Sequence, residues 1–155
     1  MDGGYTYTAT VKVGKSTVST AKGRSVDGSS EFVLNTGGSS VTYRAIPPKA
    51  WVEQAGKVWV AVSGSVPAGS PIAGFRNPAQ VTVVSDDASG LTVDASYPPA
   101  ALGLAGSKPV LVRLVVAPDH TVTMTYTTTV GQDAAATTSV FTPQPGLAPI
   151  TAPSS

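Results

Sequence analysis

His120 is the only histidine in the chain, so any acid–base chemistry near neutral pH would centre on it. A general base needs one group to orient it and another to deprotonate. Asp119 is its neighbour, but consecutive residues of an extended segment point to opposite faces. Pro118-Asp119-His120 has instead the composition of a turn. The abundant serines and threonines form no G-x-S-x-G nucleophile motif. Asp86 and Asp87 are the best oxygen donors for a cation, with Asp94 following. Calcium takes about six to eight oxygens, and these three match no known loop spacing. Their Ser/Gly surroundings predict a turn with solvated carboxylates. The chain has no cysteine, which excludes disulfides, thiolate catalysis and zinc–thiolate sites. No glycine-rich motif precedes a helix, so nothing would cradle a nucleotide phosphate. The expectation is a protein without catalytic residues, metal or cofactor.

The rest of the composition points to strands. Charged residues are 12 % of the 155 and hydrophobic residues 41 %, so Ser and Thr supply most of the polarity. Thr and Val are β-branched and suit a pleated surface. Ten basic and nine acidic residues are spread without a run or stripe. Neither nucleic acid nor an anionic membrane surface is an expected partner. No run of about 18 apolar residues exists to span a membrane as a helix. Met1-Asp2-Gly3-Gly4 leads straight into a strand pattern, with none of the features of a signal peptide.

Tyr5, Tyr7, Ala9, Val11 and Val13 alternate with Thr6, Thr8, Thr10 and Lys12, which is a strand with one apolar face. Ser16 to Arg24 follows the Gly14-Lys15 turn; it is mostly polar and is expected to be an edge or solvent-facing strand. Lys12, Lys15, Lys22 and Arg24 cluster on this hairpin, where they guard an edge or meet an anionic head group. Further strands are expected at 31–35, 41–46, 51–53, 58–62, 81–84, 91–97, 110–116, 121–130 and 136–142. Pro47-Pro48 marks a break. Ser63 to Gln80 reads as a long Gly/Pro-rich connection anchored at Val66, Ile72 and Phe75. Pro98 to Ala105 is the one short helix expected. The fold class is all-β: antiparallel, a curved half-barrel or sandwich of about nine to eleven strands, with at most one short helix. The β domain covers residues 1–142, and 143–155 is a Pro-rich, uncharged tail expected to be flexible or pinned only through Leu147 and Ile150.

Aromatic side chains either fill a β core or line a cavity for an apolar ligand. Tyr43, Trp59 and Tyr126 lie in strands and Phe75 in the long connection. These four are the candidate residues for contacting such a ligand, with Ser63 to Gln80 as an adjustable rim.

Three stretches carry a family resemblance: YTYTATVKVGKSTVSTAKGRSVDG, VTYRAIPPKAWVEQAGKVWVAV and LTVDASYPPAALGLAGSKPVLVRLVVAPDHTVTMTYTT. Their order, an opening meander, an aromatic-marked hairpin, then a strand, a short Ala/Leu segment and a closing hairpin, resembles the LolA-like actinobacterial lipoproteins of the LppX/LprG type. The resemblance covers roughly two thirds of the chain. It implies a curved antiparallel half-barrel whose concave apolar face holds the acyl chains of lipids or lipoglycans. It also implies an extracytoplasmic place, in the cell envelope or secreted, with any signal peptide and lipobox cysteine upstream of Met1. The sequence departs from the family in beginning at the first strand, without a leading helix. It also has too much Gly and Pro in Ser63 to Gln80 for the family's cavity-covering helices. The alternative is a structural or protein-interaction β module with a filled core, meeting another envelope protein through an edge strand.

Overall fold

The computed structural model describes residues 3–55, 57–62, 75, 77–102, 104–130 and 132–154. Eleven strands follow one another: β1 Tyr5–Val13, β2 Ser16–Val26, β3 Ser29–Thr36, β4 Ser39–Ile46, β5 Lys49–Gln54, β6 Val58–Ala61, β7 Gln80–Asp87, β8 Gly90–Tyr97, β9 Val110–Val116, β10 Val122–Val130 and β11 Asp133–Pro143. All pair antiparallel in one open sheet of order β6-β5-β4-β3-β2-β1-β11-β10-β9-β8-β7, rather than in the two layers of a sandwich. The helix expected over Pro98 to Ala105 is a single 3-10 turn, Pro99–Leu102. Gly at the centre of so short a segment leaves too few good helix formers to nucleate an α-helix.

Turn chemistry sets this meander. Asp27 and Gly28 have φ of 48° and 78°, and Gly37 and Gly38 of 58° and 82°. Two successive positive φ values make the two-residue turns whose twist matches that of paired strands. Pro47-Pro48 joins β4 to β5 and contains a cis peptide bond. The only neighbours out of sequence order are β1 and β11, paired from Tyr5↔Pro143 to Val13↔Ala135. That ladder joins the N-terminal six-strand meander to the C-terminal five-strand one. It places β2 inside the sheet, between β1 and β3, not at the expected edge.

Period-2 alternation gives the sheet two unlike faces. Thr6, Thr8 and Thr10 of β1 share one face with Thr142, Val140 and Thr138 of β11 and with Arg24, Lys22 and Thr20 of β2. Tyr5, Tyr7, Ala9 and Val11 face the other way, and the core lies there. Tyr5, Tyr7, Ala95, Tyr97, Val112, Met124 and Phe141 form one buried cluster, with Phe32, Phe75, Leu102 and Tyr126 packed against it.

The Pro-rich tail, expected to be flexible, makes specific contacts. Arg24 donates to the Ala148 carbonyl at 2.8 Å and Arg44 to the Thr151 carbonyl at 2.9 Å. Both guanidiniums also meet Glu31, Arg44 through a 2.6 Å hydrogen bond and Arg24 at 3.9 Å. Ile150 is buried. Removing a buried Ile side chain beyond Cβ costs about 2 kcal/mol or more. Ile150→Ala should therefore lower the melting temperature by roughly 4–8 °C, read by circular dichroism. An unchanged melting curve would show that the tail adds nothing to the fold.

Candidate functional site

Small side chains are grouped on part of the apolar face of β2, β1 and β11. Cross-strand pairing lays out the rows. One row runs Tyr43–Phe32–Gly23–Tyr7–Phe141–Val122 across β4, β3, β2, β1, β11 and β10. The next runs Leu34–Ala21–Ala9–Ser139–Met124, and the third Ser19–Val11–Thr137–Tyr126. Ala21, Ala9 and Ser139, with Ser19, Val11 and Thr137 in the next row, therefore form a floor of short side chains. Bulky residues stand around it: Tyr7 and Phe141 at one end, Leu34 to one side, Met124 and Tyr126 to the other.

Over this floor lies a cavity of about 290 Å³. Its lining is completed from outside the sheet by Phe75, Ala101 and Leu102. Phe75 is held in place twice. Its carbonyl accepts a 2.9 Å hydrogen bond from the Tyr97 hydroxyl, and its ring meets that of Tyr97 edge-on at 5.4 Å. The 3-10 turn follows β8 after Pro98 and brings Ala101 and Leu102 over the sheet. The cavity has about twice the volume of an engineered apolar cavity that stays dry and binds benzene.

An aromatic ribbon borders the space. Tyr5 meets Phe141 at 5.9 Å, Phe141 stacks on Tyr7 at 6.0 Å, Tyr7 meets Phe32 at 6.4 Å, and Phe32 stacks on Tyr43 at 5.1 Å. Tyr7 and Phe32 lie on strands separated by β2, and Gly23 between them carries no side chain to keep the rings apart. Offset and edge-on pairs of this kind contribute beyond the area they bury.

Burial, and secondarily the neighbouring Tyr5 phenol, push the Tyr7 pKa far above the ordinary tyrosine value. An unfolded chain releases this proton near pH 10, whereas the folded chain retains it to higher pH. The stability conferred is fully present below about pH 10 and is lost as pH rises through the folded-state value. Tyr7 should make the unfolding free energy fall by up to about 1.4 kcal/mol per pH unit in that window. Urea titrations at about pH 9 and above, on wild type and Tyr7→Phe, read the difference. Parallel pH profiles would show that this phenol is solvated in the folded chain.

The four aromatic candidates are divided by the fold. Phe75 and Tyr126 line the cavity. Tyr43 shares their face but stacks on Phe32, at the margin. Trp59 is on the opposite face, since Thr42↔Glu53↔Trp59 continues the row of Thr8 and Lys22, and the Arg44 guanidinium lies 4.7 Å above its ring. Most of the expected rim, residues 63–74 and Arg76, lies outside the described residues. Phe141, Ala9, Ala21 and Met124 line the cavity without having stood out in the sequence. Their signal was present in the alternation of β1, where Ala9 follows Tyr5 and Tyr7 on one face, and in β2, where Ser19, Ala21 and Gly23 alternate.

The polar candidates serve turns and pairs. The His120 amide donates to the Ala117 carbonyl at 2.8 Å, with His120 at φ 64°. Asp119 accepts from the Thr121 amide at 2.9 Å, and the hydrogen bonds to Thr121 hold its carboxyl below the usual range. Asp87 closes the β7–β8 turn by accepting from both the hydroxyl and the amide of Ser89, which lower its pKa. Asp94 takes two 2.8 Å hydrogen bonds from Arg113. Among the described residues no group of three or more His, Asp or Glu could hold a metal ion. None of their helices is long and apolar enough to cross a membrane. Comparison of the chain with protein-family models and with curated proteins gave no match.

Proposed function

We propose that this chain is a non-catalytic lipid-binding protein of the bacterial cell envelope, holding an acyl chain against the apolar face of its sheet. The observation that carries this reading is the 290 Å³ space over Ala9, Ala21 and Ser139, bounded by aliphatic and aromatic side chains and covered by Phe75 and Leu102. A β domain with a filled core would place bulky side chains at those central positions. At roughly 30 Å³ for a water-sized group, the space takes about ten methylenes. At about 0.8 kcal/mol each, eight to ten of them supply roughly 6–8 kcal/mol, enough for micromolar binding without any polar site. The resemblance to LolA-like lipoproteins supports the same reading, and with it an extracytoplasmic location.

Native mass spectrometry of gently purified protein tests it, the expected result being a co-purifying species of lipid mass. Phe75→Ala should speed release of a fluorescent fatty-acid probe, because it opens the cover. Trp59→Arg should leave probe affinity within about twofold, because Trp59 belongs to the other face; a large loss there would place the ligand on the wrong side of the sheet for this reading.

A second reading, a protein-interaction module, has one observation of its own. Val81, Val83 and Val84 on edge strand β7 are 54 %, 61 % and 52 % exposed. Such an edge is a template for strand addition by another chain. Val83→Lys would abolish partner capture on that reading and leave probe uptake untouched.

A further inference from the structure

The sheet has a gap between β9 and β10. β10 pairs with β11 along its whole length, to Val130↔Asp133, but with β9 only from Val122↔Val116 to Tyr126↔Val112. β9 itself begins two residues earlier, where Val110 and Leu111 pair with Tyr97 and Ser96 of β8. Beyond Tyr126, β10 has no ladder to β9. A space of about 940 Å³ lies there, lined from both faces of the sheet: Thr137 and Tyr126 from the apolar face, Arg113 and Thr138 from the polar one. Tyr126 and Thr137 line both this space and the 290 Å³ cavity.

The gap carries charged side chains, which the cavity lining lacks. Thr127, Thr129 and Ser107 bring hydroxyls to it. Its charged lining residues are Asp94, Arg113 and Lys108. Arg113 and Asp94 neutralise one another through two 2.8 Å hydrogen bonds, which leaves the excess positive charge on Lys108. We infer that the gap seats the carboxylate of a single-chain fatty acid whose tail lies in the inner cavity. Lys108 supplies the charge, the hydroxyls donate to the remaining carboxylate lone pairs, and the chain passes Tyr126 into the space over Ala9 and Ala21. A single chain is favoured over a two-chain lipid because the inner cavity has room for about ten methylenes. This inference rests on the lipid-binding reading and adds to it the head group and the route.

The test is a titration of the full chain, freed of bound lipid, with dodecanoate and with dodecanol, by calorimetry at low ionic strength. Dodecanoate should bind at least tenfold more tightly than dodecanol. Lys108→Met should remove that difference, and Lys108→Arg should retain it. Lys108 is exposed, so its replacement should not disturb folding, which the melting temperature verifies. Tyr126→Trp should weaken both ligands by narrowing the junction. Equal binding of acid and alcohol by wild type, or a Lys108→Met variant that still prefers the acid, overturns the head-group site and leaves the inner cavity as the lipid site. Binding of neither ligand by the wild type overturns this inference together with the reading it rests on.

Discussion

Replacing Gly23 by alanine is expected to cost about 3 kcal/mol and to lower the melting temperature by roughly 6–12 °C. Gly23 lies in β2, between Tyr7 of β1 and Phe32 of β3. A Cβ there would stand 2.3 Å from the Glu31 carbonyl oxygen, 2.5 Å from the Phe32 Cβ and 2.9 Å from its Cα. Two of those three atoms are backbone, so no rotamer change relieves the contact. β2 or β3 must move, and both are interior strands with ladders on each side. The Tyr7–Phe32 contact across Gly23 would open with them, breaking the aromatic ribbon in the middle. Thermal unfolding followed by circular dichroism measures the loss. A shift below about 2 °C would mean that the strands yield readily at this point.

The second large effect has two parts of opposite sign. Ala21→Leu should weaken probe binding about fiftyfold while leaving the melting temperature unchanged or higher. Ala21 lies on the cavity floor between Ala9 and Leu34. A leucine there adds three methylene-sized groups to a space that holds about ten. Displacing three methylenes of ligand removes about 2.4 kcal/mol of binding, which is the fiftyfold. The same atoms fill a void in the free protein, and cavity-filling substitutions commonly stabilise. A merely structural position would lose stability and binding together. If Ala21→Leu instead destabilised the fold by more than about 2 kcal/mol, the sheet would be overpacked at that point and the space would not be available to a ligand.

Much of the fold was legible in the sequence, for reasons that can be traced to particular residues. The strict alternation of Tyr5 to Val13 assigned that strand to its end residues, and Val110–Val116 was equally clear, because apolar β-branched runs bounded by turn residues admit few other readings. Strand ends elsewhere were missed by a few residues, as in β7, which continues to Asp87 through residues that resemble a turn. Of the two places expected for β2, the edge fails for a different reason. Its polarity suggested an edge, but on one face it reflects solvent and on the other a floor of small side chains under a cavity. Composition cannot separate those two causes; only the pairing of Ala21 with Ala9 and of Gly23 with Tyr7 and Phe32 does so.

The candidate site was half legible. Phe75 and Tyr126 were singled out as aromatics and they line the cavity. Trp59 was grouped with them by residue type, but its face depends on the register through β4 and β5, and a one-residue change in that register would reverse it. The tail shows the same limit. Four prolines and no charge suggested a loose segment, yet its carbonyls are the groups that Arg24 and Arg44 reach, and a carbonyl leaves no mark on sequence.

The most direct measurement of whether the space over Ala9, Ala21 and Ser139 holds an acyl chain is a titration of lipid-free wild-type protein with a fluorescent long-chain fatty-acid probe. Saturable, one-site uptake with a Kd in the low micromolar range is expected from burial of about eight to ten methylenes. A folded protein, with an unaltered β spectrum and melting curve, that takes up no probe up to hundreds of micromolar would contradict it.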